Sequence, residues 1–272
     1  MSARGGSAYG GPMDTATVQT YLNRIGLPHD LSPTVASLRR LHEAHLYAVP
    51  FENLSIHLGE PIELDVGLLV DKLVHQRRGG FCYELNGAFA ELLEALGFGV
   101  ERLGARVVSD GRPGSPFDHL ALRVRAEDHT VPWLADVGFG RSFLQPLRLD
   151  DPTPQTDPHG TFTITPAADG DVDLFHDGLW SYRLERRARD LADFGPTCWY
   201  MQTSPRSPFT RGPTCSLPRR DGSRVTLADH ALIETAADGT RTETELRDDA
   251  VLAAYRTHFG IELDQVPTAP PA

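Results

Sequence analysis

An α+β protein is expected from this sequence. Apolar side chains recur at helical spacing through the first hundred residues, and the period changes to two from Val100. Strands and helices then fail to alternate as a dinucleotide-binding βαβ fold requires. Val18, Tyr21, Leu22 and Ile25 mark a first helix that stops at Gly26. Ser32-Pro33 reads as a cap with proline at the first helical position, followed by Val35, Leu38, Leu41, His42 and Tyr47. The run Val49–Leu54 breaks the pattern, a short helix follows over Val66–His75, and the clearest helix spans Cys82–Leu96. Its stripe is Leu85, Phe89, Leu92 and Leu96, with Gly97 at the C-terminal cap position. Strands are expected at Arg102–Val108, Phe117–Arg125, Val131–Val137, Thr161–Thr165, Val172–His176 and Leu179–Leu184, with Asp177-Gly178 as a hairpin turn. Asp193–Gly212 reads as a long packed loop rich in aromatics and proline. Two strands then flank Asp238-Gly239, a helix covers Asp248–Phe259, and the tail beyond Val266 is expected to fray.

The chain has 272 residues, 40% of them hydrophobic and 23% charged, enough for a sizeable core. With 26 basic against 37 acidic residues and a net charge of -11, it lacks the basic surface that a nucleic-acid partner needs. No apolar run approaches the ~20 residues of a membrane span. Residues 1–12 are Gly-rich, lack a signal-peptide core, and are expected to be a disordered extension. The expected compartment is the cytoplasm, where thiols stay reduced. The three cysteines, Cys82, Cys198 and Cys215, form neither a disulfide scaffold nor a zinc pattern.

Cys82 follows Gly79-Gly80-Phe81 and opens a helix, where the dipole and unpaired N–H groups favour thiolate. The two glycines are expected to allow a sharp turn and leave room for an acyl group, and Arg77 and Arg78 add positive charge. A thiolate needs a proton partner, and that partner needs an orienting acceptor. His119 lies on a strand, opposite the Leu120, Leu122 and Val124 face. Asp136 ends an apolar strand, where a carboxylate needs a partner. With 11 histidines in the chain, spacing alone does not select this set, and a lone cysteine is commonly a small buried hydrophobe.

Four blocks carry a resemblance: Val49-Pro50-Phe51-Glu52-Asn53-Leu54, Arg77-Arg78-Gly79-Gly80-Phe81-Cys82-Tyr83-Glu84-Leu85-Asn86, Phe117-Asp118-His119-Leu120-Ala121-Leu122 and Trp133-Leu134-Ala135-Asp136-Val137-Gly138-Phe139-Gly140. In this order they resemble the arylamine N-acetyltransferase family. The resemblance extends to the Tyr21–Gly26 start and the Trp199–Phe209 segment, and so over about residues 14–265. It implies three parts around a cysteine-protease- or transglutaminase-like core. These are a helical bundle (13–98) with the nucleophile, a β-barrel-like region (99–205) with the histidine and aspartate, and an α/β lid (206–272). The implied reaction is ping-pong acyl transfer. Cys82 takes an acetyl group from acetyl-CoA, and an arylamine, hydrazine or hydroxylamine nitrogen receives it. Cys82, His119 and Asp136 are the implied triad, and Phe51, Gly138 and Phe139 the implied substrate pocket. A charge network of Arg24, Glu52 and Arg78 is implied behind them. Acetyl-CoA enters as a cosubstrate, with no permanently bound cofactor or metal, and the chain is expected to be a monomer or homodimer. A polyketide amide synthase of the same family, a thiol hydrolase or transglutaminase-like enzyme, and a catalytically dead binding module are the competing readings.

Overall fold

A computed structural model describes residues 13–269. The expected extension over residues 1–12 lies outside the described residues. Helix α1 (Thr15–Arg24) begins at Asp14, whose carboxylate accepts the Thr17 N–H at 2.7 Å, and ends before Gly26 at φ +72°. Helix α2 (Val35–Ala48) is capped by the hydroxyl of Thr34 bonding the Ser37 N–H, two residues later than the Ser32-Pro33 signal predicts. After strand β1 (Phe51–Glu52) come α3 (Leu54–Leu58) and α4 (Val66–Val70), the latter running on as a π-helical turn over Asp71–His75. Helix α5 (Cys82–Ala95) is enclosed almost all round: beyond the expected stripe, Tyr83, Ala88, Ala90 and Leu93 are also buried. Such a helix is a core element rather than a surface one.

Nine antiparallel strands follow: β2 (Gly99–Ser109), β3 (Arg112–Pro113), β4 (His119–Arg125), β5 (Trp133–Ala135), β6 (Leu147–Arg148), β7 (Gln155–Asp157), β8 (Gly160–Pro166), β9 (Val172–His176) and β10 (Leu179–Arg189). Their order is β6-β5-β4-β2-β10-β9-β8-β7, with β3 paired to β2. The two end strands approach each other through a side chain. The Gln155 amide accepts the Arg148 N–H at 2.7 Å and donates to its carbonyl at 3.0 Å, standing in for a backbone pair and nearly closing the barrel. Asp177-Gly178 is the expected tight turn, with φ +48° and +79°. The alternation along β4 separates two cores: Leu120, Leu122 and Val124 face the helices, while Ala121 joins Leu103, Ala105 and Tyr182 inside the barrel.

The expected loop at 193–212 instead contains α6 (Gly195–Thr203) between two short 3₁₀ turns. Its Cys198 and Met201, with Phe194, pack into the helical core, so by packing this segment leaves the barrel before residue 205. Two strands beyond those expected, β11 (Thr214–Pro218) and β12 (Arg224–Ala228), precede β13 (Ala231–Thr235), β14 (Arg241–Glu245) and α7 (Asp248–Ala254). These strands form a five-stranded sheet whose first strand is β1, donated by the helical region. Phe51 and Glu52 pair with Ser216 and Cys215 on one side, while the Glu52 N–H reaches the Gly80 carbonyl at 2.9 Å on the other. The tail is pinned at least to Thr268, whose N–H donates to the His57 carbonyl, so fraying does not begin at Val266. Among the described residues, no helix is long and apolar enough to cross a membrane.

Candidate active site

Cys82 is the first residue of α5 and is buried. The helix start is fixed by Glu84, whose carboxylate accepts the Phe81 N–H at 3.1 Å. The glycines ahead of it serve packing rather than an acyl group. A Cβ on Gly79 would lie 1.9 Å from the Pro50 carbonyl oxygen, and one on Gly80 would lie 2.6 Å from the Glu84 side chain. Neither has positive φ. The loop therefore presses flat against β1 and against the residue that caps its own helix.

His119 is set by an unusual turn. Phe117 has φ +63°, a conformation costly for a side chain of its size, directly ahead of β4. Its carbonyl accepts the Tyr83 hydroxyl at 2.7 Å, and its ring lies over Gly104, where a Cβ would clash at 2.6 Å. Asp118 accepts the Val107 N–H at 2.8 Å. These contacts aim the imidazole at its two partners. Nε2 donates to Asp136 Oδ2 at 2.7 Å, which leaves Nδ1 for a second partner, and Cys82 is the near group whose charge acts on the ring.

Asp136 is buried and accepts from four groups. His119 and the Tyr182 hydroxyl (3.2 Å) share Oδ2, while Asn86 Nδ2 (2.9 Å) and the Gly138 N–H (3.0 Å) share Oδ1. Asn86 sits one helical turn after Cys82, so a single helix carries both the thiol and a brace for the carboxylate. Its own oxygen accepts the Val137 N–H at 3.0 Å. The Asp136 N–H donates to His42 Nε2 at 3.0 Å, and His42 Nδ1 donates to the Leu144 carbonyl at 2.9 Å, which fixes His42 as a neutral ring. Burial holds His42 below its ordinary value. For His119 burial acts the same way, but the Asp136 charge and the hydrogen bonds to Asp136 and Cys82 outweigh it and push the imidazole up to about 10. Burial likewise opposes ionisation of Asp136, yet His119, Asn86 and Gly138 hold the carboxyl below the usual range.

Phe139 packs edge-on against His119 at 5.1 Å and against Tyr182 at 5.2 Å. Phe51 lies beside the same segment, its ring 3.5 Å from where a Cβ on Gly140 would be and 6.3 Å from Phe209. At Gly138, expected in the pocket, a Cβ would meet the Cys82 Cα and Asn86 Nδ2 at 2.7 Å, so its bareness lets the segment after β5 touch the start of α5.

Behind the thiol lies a buried charge network. Glu52 accepts Arg78 Nε at 3.1 Å and the Leu54 N–H at 2.5 Å, with Lys72 Nζ at 4.0 Å. Lys72 also bonds Glu84 at 2.6 Å. The expected Arg24 is not a member. Its guanidinium turns to the Arg77 carbonyl at 3.4 Å, and the second cation at Glu52 is Lys72, the only lysine in the chain. Burial would raise Glu52, but Lys72 and Arg78 outweigh it and hold the carboxyl below the ordinary value. Arg78 thus directs its charge to Glu52 rather than to Cys82, and Arg77 is exposed. Cys198 and Cys215 are buried, and burial pushes both thiols up.

Spacing did not single out Asn86, Tyr182, His42 or Lys72. The usable signal was Asn86, a lone amide four residues after Cys82 on a helix otherwise apolar on that side.

A model of the N-acetyltransferase family matches residues 34–267. The chain is 36% identical over 255 residues to an arylamine N-acetyltransferase of Mycolicibacterium smegmatis, covering 89% of this chain and 91% of that one. The Mycobacterium marinum arylamine N-acetyltransferase, solved in complex with CoA, superposes with a TM-score of 0.81 at 33% identity, covering 90% of this chain and 92% of that one. The Salmonella typhimurium arylamine N-acetyltransferase gives a TM-score of 0.82 at 30% identity, covering 94% and 95%.

Proposed function

This chain belongs to the arylamine N-acetyltransferase family, and from that premise we propose that it acetylates arylamines, arylhydrazines or arylhydroxylamines by ping-pong transfer through a thioester on Cys82. The observation that carries the reading is that Cys82, His119 and Asp136 are buried together, with the imidazole bonded to the carboxylate at 2.7 Å and Cys82 close enough to act on its charge.

In the first half-reaction the Cys82 sulfur attacks the acetyl carbonyl of acetyl-CoA. The tetrahedral intermediate collapses by breaking the bond to the CoA sulfur, which leaves with the proton that His119 carries. The thioester formed is close in energy to the one broken, so little driving force is lost. In the second half, the now neutral His119 takes a proton as the amine nitrogen attacks the thioester, and Cys82 departs as thiolate. Arylamines are weak bases and stay neutral near pH 7, so the lone pair is available. The Cys82 N–H, at the open end of α5, is the oxyanion donor in this scheme. The M. marinum relative was solved with CoA, which supports a CoA thioester as donor here.

Mass spectrometry after mixing with acetyl-CoA should find one acetyl group on Cys82. Free CoA thiol should then appear steadily only when an arylamine or arylhydrazine is present. An acyl-enzyme that decays equally fast without amine would mark a hydrolase and overturn the proposal.

A further inference from the structure

The loop 136–144, between β5 and β6, carries Asp136, Gly138 against the Cys82 Cα, Phe139 against His119 and Gly140 beside Phe51. A segment of that length can extend to roughly 26 Å, so contacts along it must fix its course. One side chain holds both of its ends. His42, completely buried on α2, accepts the Asp136 N–H on Nε2 at 3.0 Å and donates from Nδ1 to the Leu144 carbonyl at 2.9 Å. The Leu144 end is itself anchored, because its N–H meets the two carboxylate oxygens of Asp157 at 3.1 and 3.0 Å. Phe143 stacks on the imidazole at 5.6 Å with 13° between the planes, and Phe89 of α5 meets it edge-on at 6.2 Å. The ring is therefore fixed in place and in orientation by α2, α5 and the loop.

We propose that His42 is a positioning residue for the acetyl transfer, a neutral clasp that carries the anchorage of Leu144 across to the backbone of Asp136. This deepens the reading above and rests on it for the reaction. Such a clasp needs a donor at one end and an acceptor at the other, on a rigid body that lets neither end drift. The neutral imidazole offers both, and burial keeps it neutral against the charges of Asp136 and Asp157. Without the clasp a buried N–H is orphaned, and the carboxylate that aims His119 is held only through its side chain.

Three substitutions separate the two bonds. A glutamine amide reaches the position of Nε2, an asparagine amide reaches that of Nδ1, and leucine makes neither bond. Single-turnover acetylation of Cys82 by acetyl-CoA would be followed per folded molecule. The limiting rate should fall about tenfold or more in His42→Leu and His42→Asn, and stay within about threefold of the parent in His42→Gln. The acetyl-CoA concentration at half-saturation should not move, because His42 acts through Asp136 and not on the donor. A side chain that only filled the core would lower the melting temperature and leave the limiting rates alike. Equal rates in all four proteins, an equal loss in all three variants, or rescue by asparagine rather than glutamine would overturn the proposal.

Nitrogen NMR of the parent decides the matter where a variant fails to fold. It should show His42 protonated at Nδ1 alone at neutral pH, and a ring protonated at Nε2 would overturn the clasp. The proton between His119 and Asp136 gives a second signature. Its low-field resonance should shift in His42→Leu and hold its place in His42→Gln, and a resonance unmoved in both would overturn the positioning role. These spectra need no acyl donor. A parent that shows them yet forms no thioester on Cys82 would keep the clasp on Asp136 and overturn the proposed function.

Discussion

On its barrel side, α5 is flanked by Asp136, bonded to one imidazole and three neutral donors; on its lid side lie Glu52 and Glu84, bonded to Arg78 and Lys72. Both clusters are buried, and both sit within a turn of the thiol. The lid-side cluster sets two buried carboxylates, and the half-exposed Glu60 at its rim, against two cations, so its charge is spent within the cluster. The barrel-side carboxylate meets no permanent cation, so its charge is free to stabilise whatever proton His119 holds. The difference teaches that burial of a carboxylate near a nucleophile does not assign its role. The partners do, because neutral donors leave a field acting on the imidazole while fixed cations cancel it.

The sharpest way to break this contrast begins with the thiol itself. Cys82→Ala should lower acetyl transfer by roughly 10⁴-fold or more while the melting temperature stays near that of the parent. Retained activity would remove the reason to call either side of α5 catalytic. Asp136→Asn comes next. It should lower the rate by about 10²–10⁴-fold and also destabilise the fold by about 3–5 kcal/mol, since an amide NH₂ would face donors at Oδ1 or Oδ2. Thermal unfolding beside stopped-flow acylation reads both, and a stable but slow variant would show that the four donors are dispensable to folding. Glu52→Gln should invert the pattern. It takes the buried carboxylate away from Arg78 Nε and leaves Lys72 to Glu84 alone, and costs about 3–5 kcal/mol, while activity per folded molecule falls by less than about tenfold. Arg24→Gln, outside the network, should cost less than about 1 kcal/mol.

A pH series sharpens the comparison further. His119 is raised from 6.5 to about 10, so its contribution to stability is complete below pH 6.5 and is lost as pH rises through about 10. The melting-temperature gap between the parent and His119→Ala should therefore narrow on going from pH 6.5 to 10. Thioester formation, which consumes the His119 proton, should fall off over the same upper range.

Much of this was legible because periodicity survives wherever one face is buried. Helix α5, strands β4 and β9, and the Asp177-Gly178 turn all follow from spacing. Helix α6 did not, because only Cys198 and Met201 face inward while Trp199 is 67% exposed, so its aromatics point the wrong way for an amphipathic pattern. Strand β11 mixes Thr214, Cys215, Ser216 and Pro218 around one leucine, which hides its alternation, whereas β12 does alternate, Val225 and Leu227 buried between Arg224 and Thr226, and was legible. The resemblance supplied the Cys82, His119 and Asp136 set, but not its scaffold. Asn86, Tyr182 and His42 come from three separate elements and meet only after folding. Lys72 displaced Arg24 for a geometric reason no spacing encodes: the Arg24 guanidinium at the end of α1 bonds the Arg77 carbonyl, and the cations within 4.0 Å of Glu52 are Arg78 and Lys72.

The two-residue strand β1 has a consequence in time. Asn53 is bonded to Thr214 across 161 residues of sequence, and Glu52 pairs with Cys215 on one edge and Gly80 on the other. On the ribosome, α1 through the whole barrel is made before either of those lid residues exists. The loop ahead of Cys82 therefore waits, with one edge of its supporting strand unpaired and Glu52 half-enclosed, until the last quarter of the chain emerges. A nascent chain stalled before residue 214 would carry every residue of the triad and still lack the backbone partner that seats the strand beneath its nucleophile.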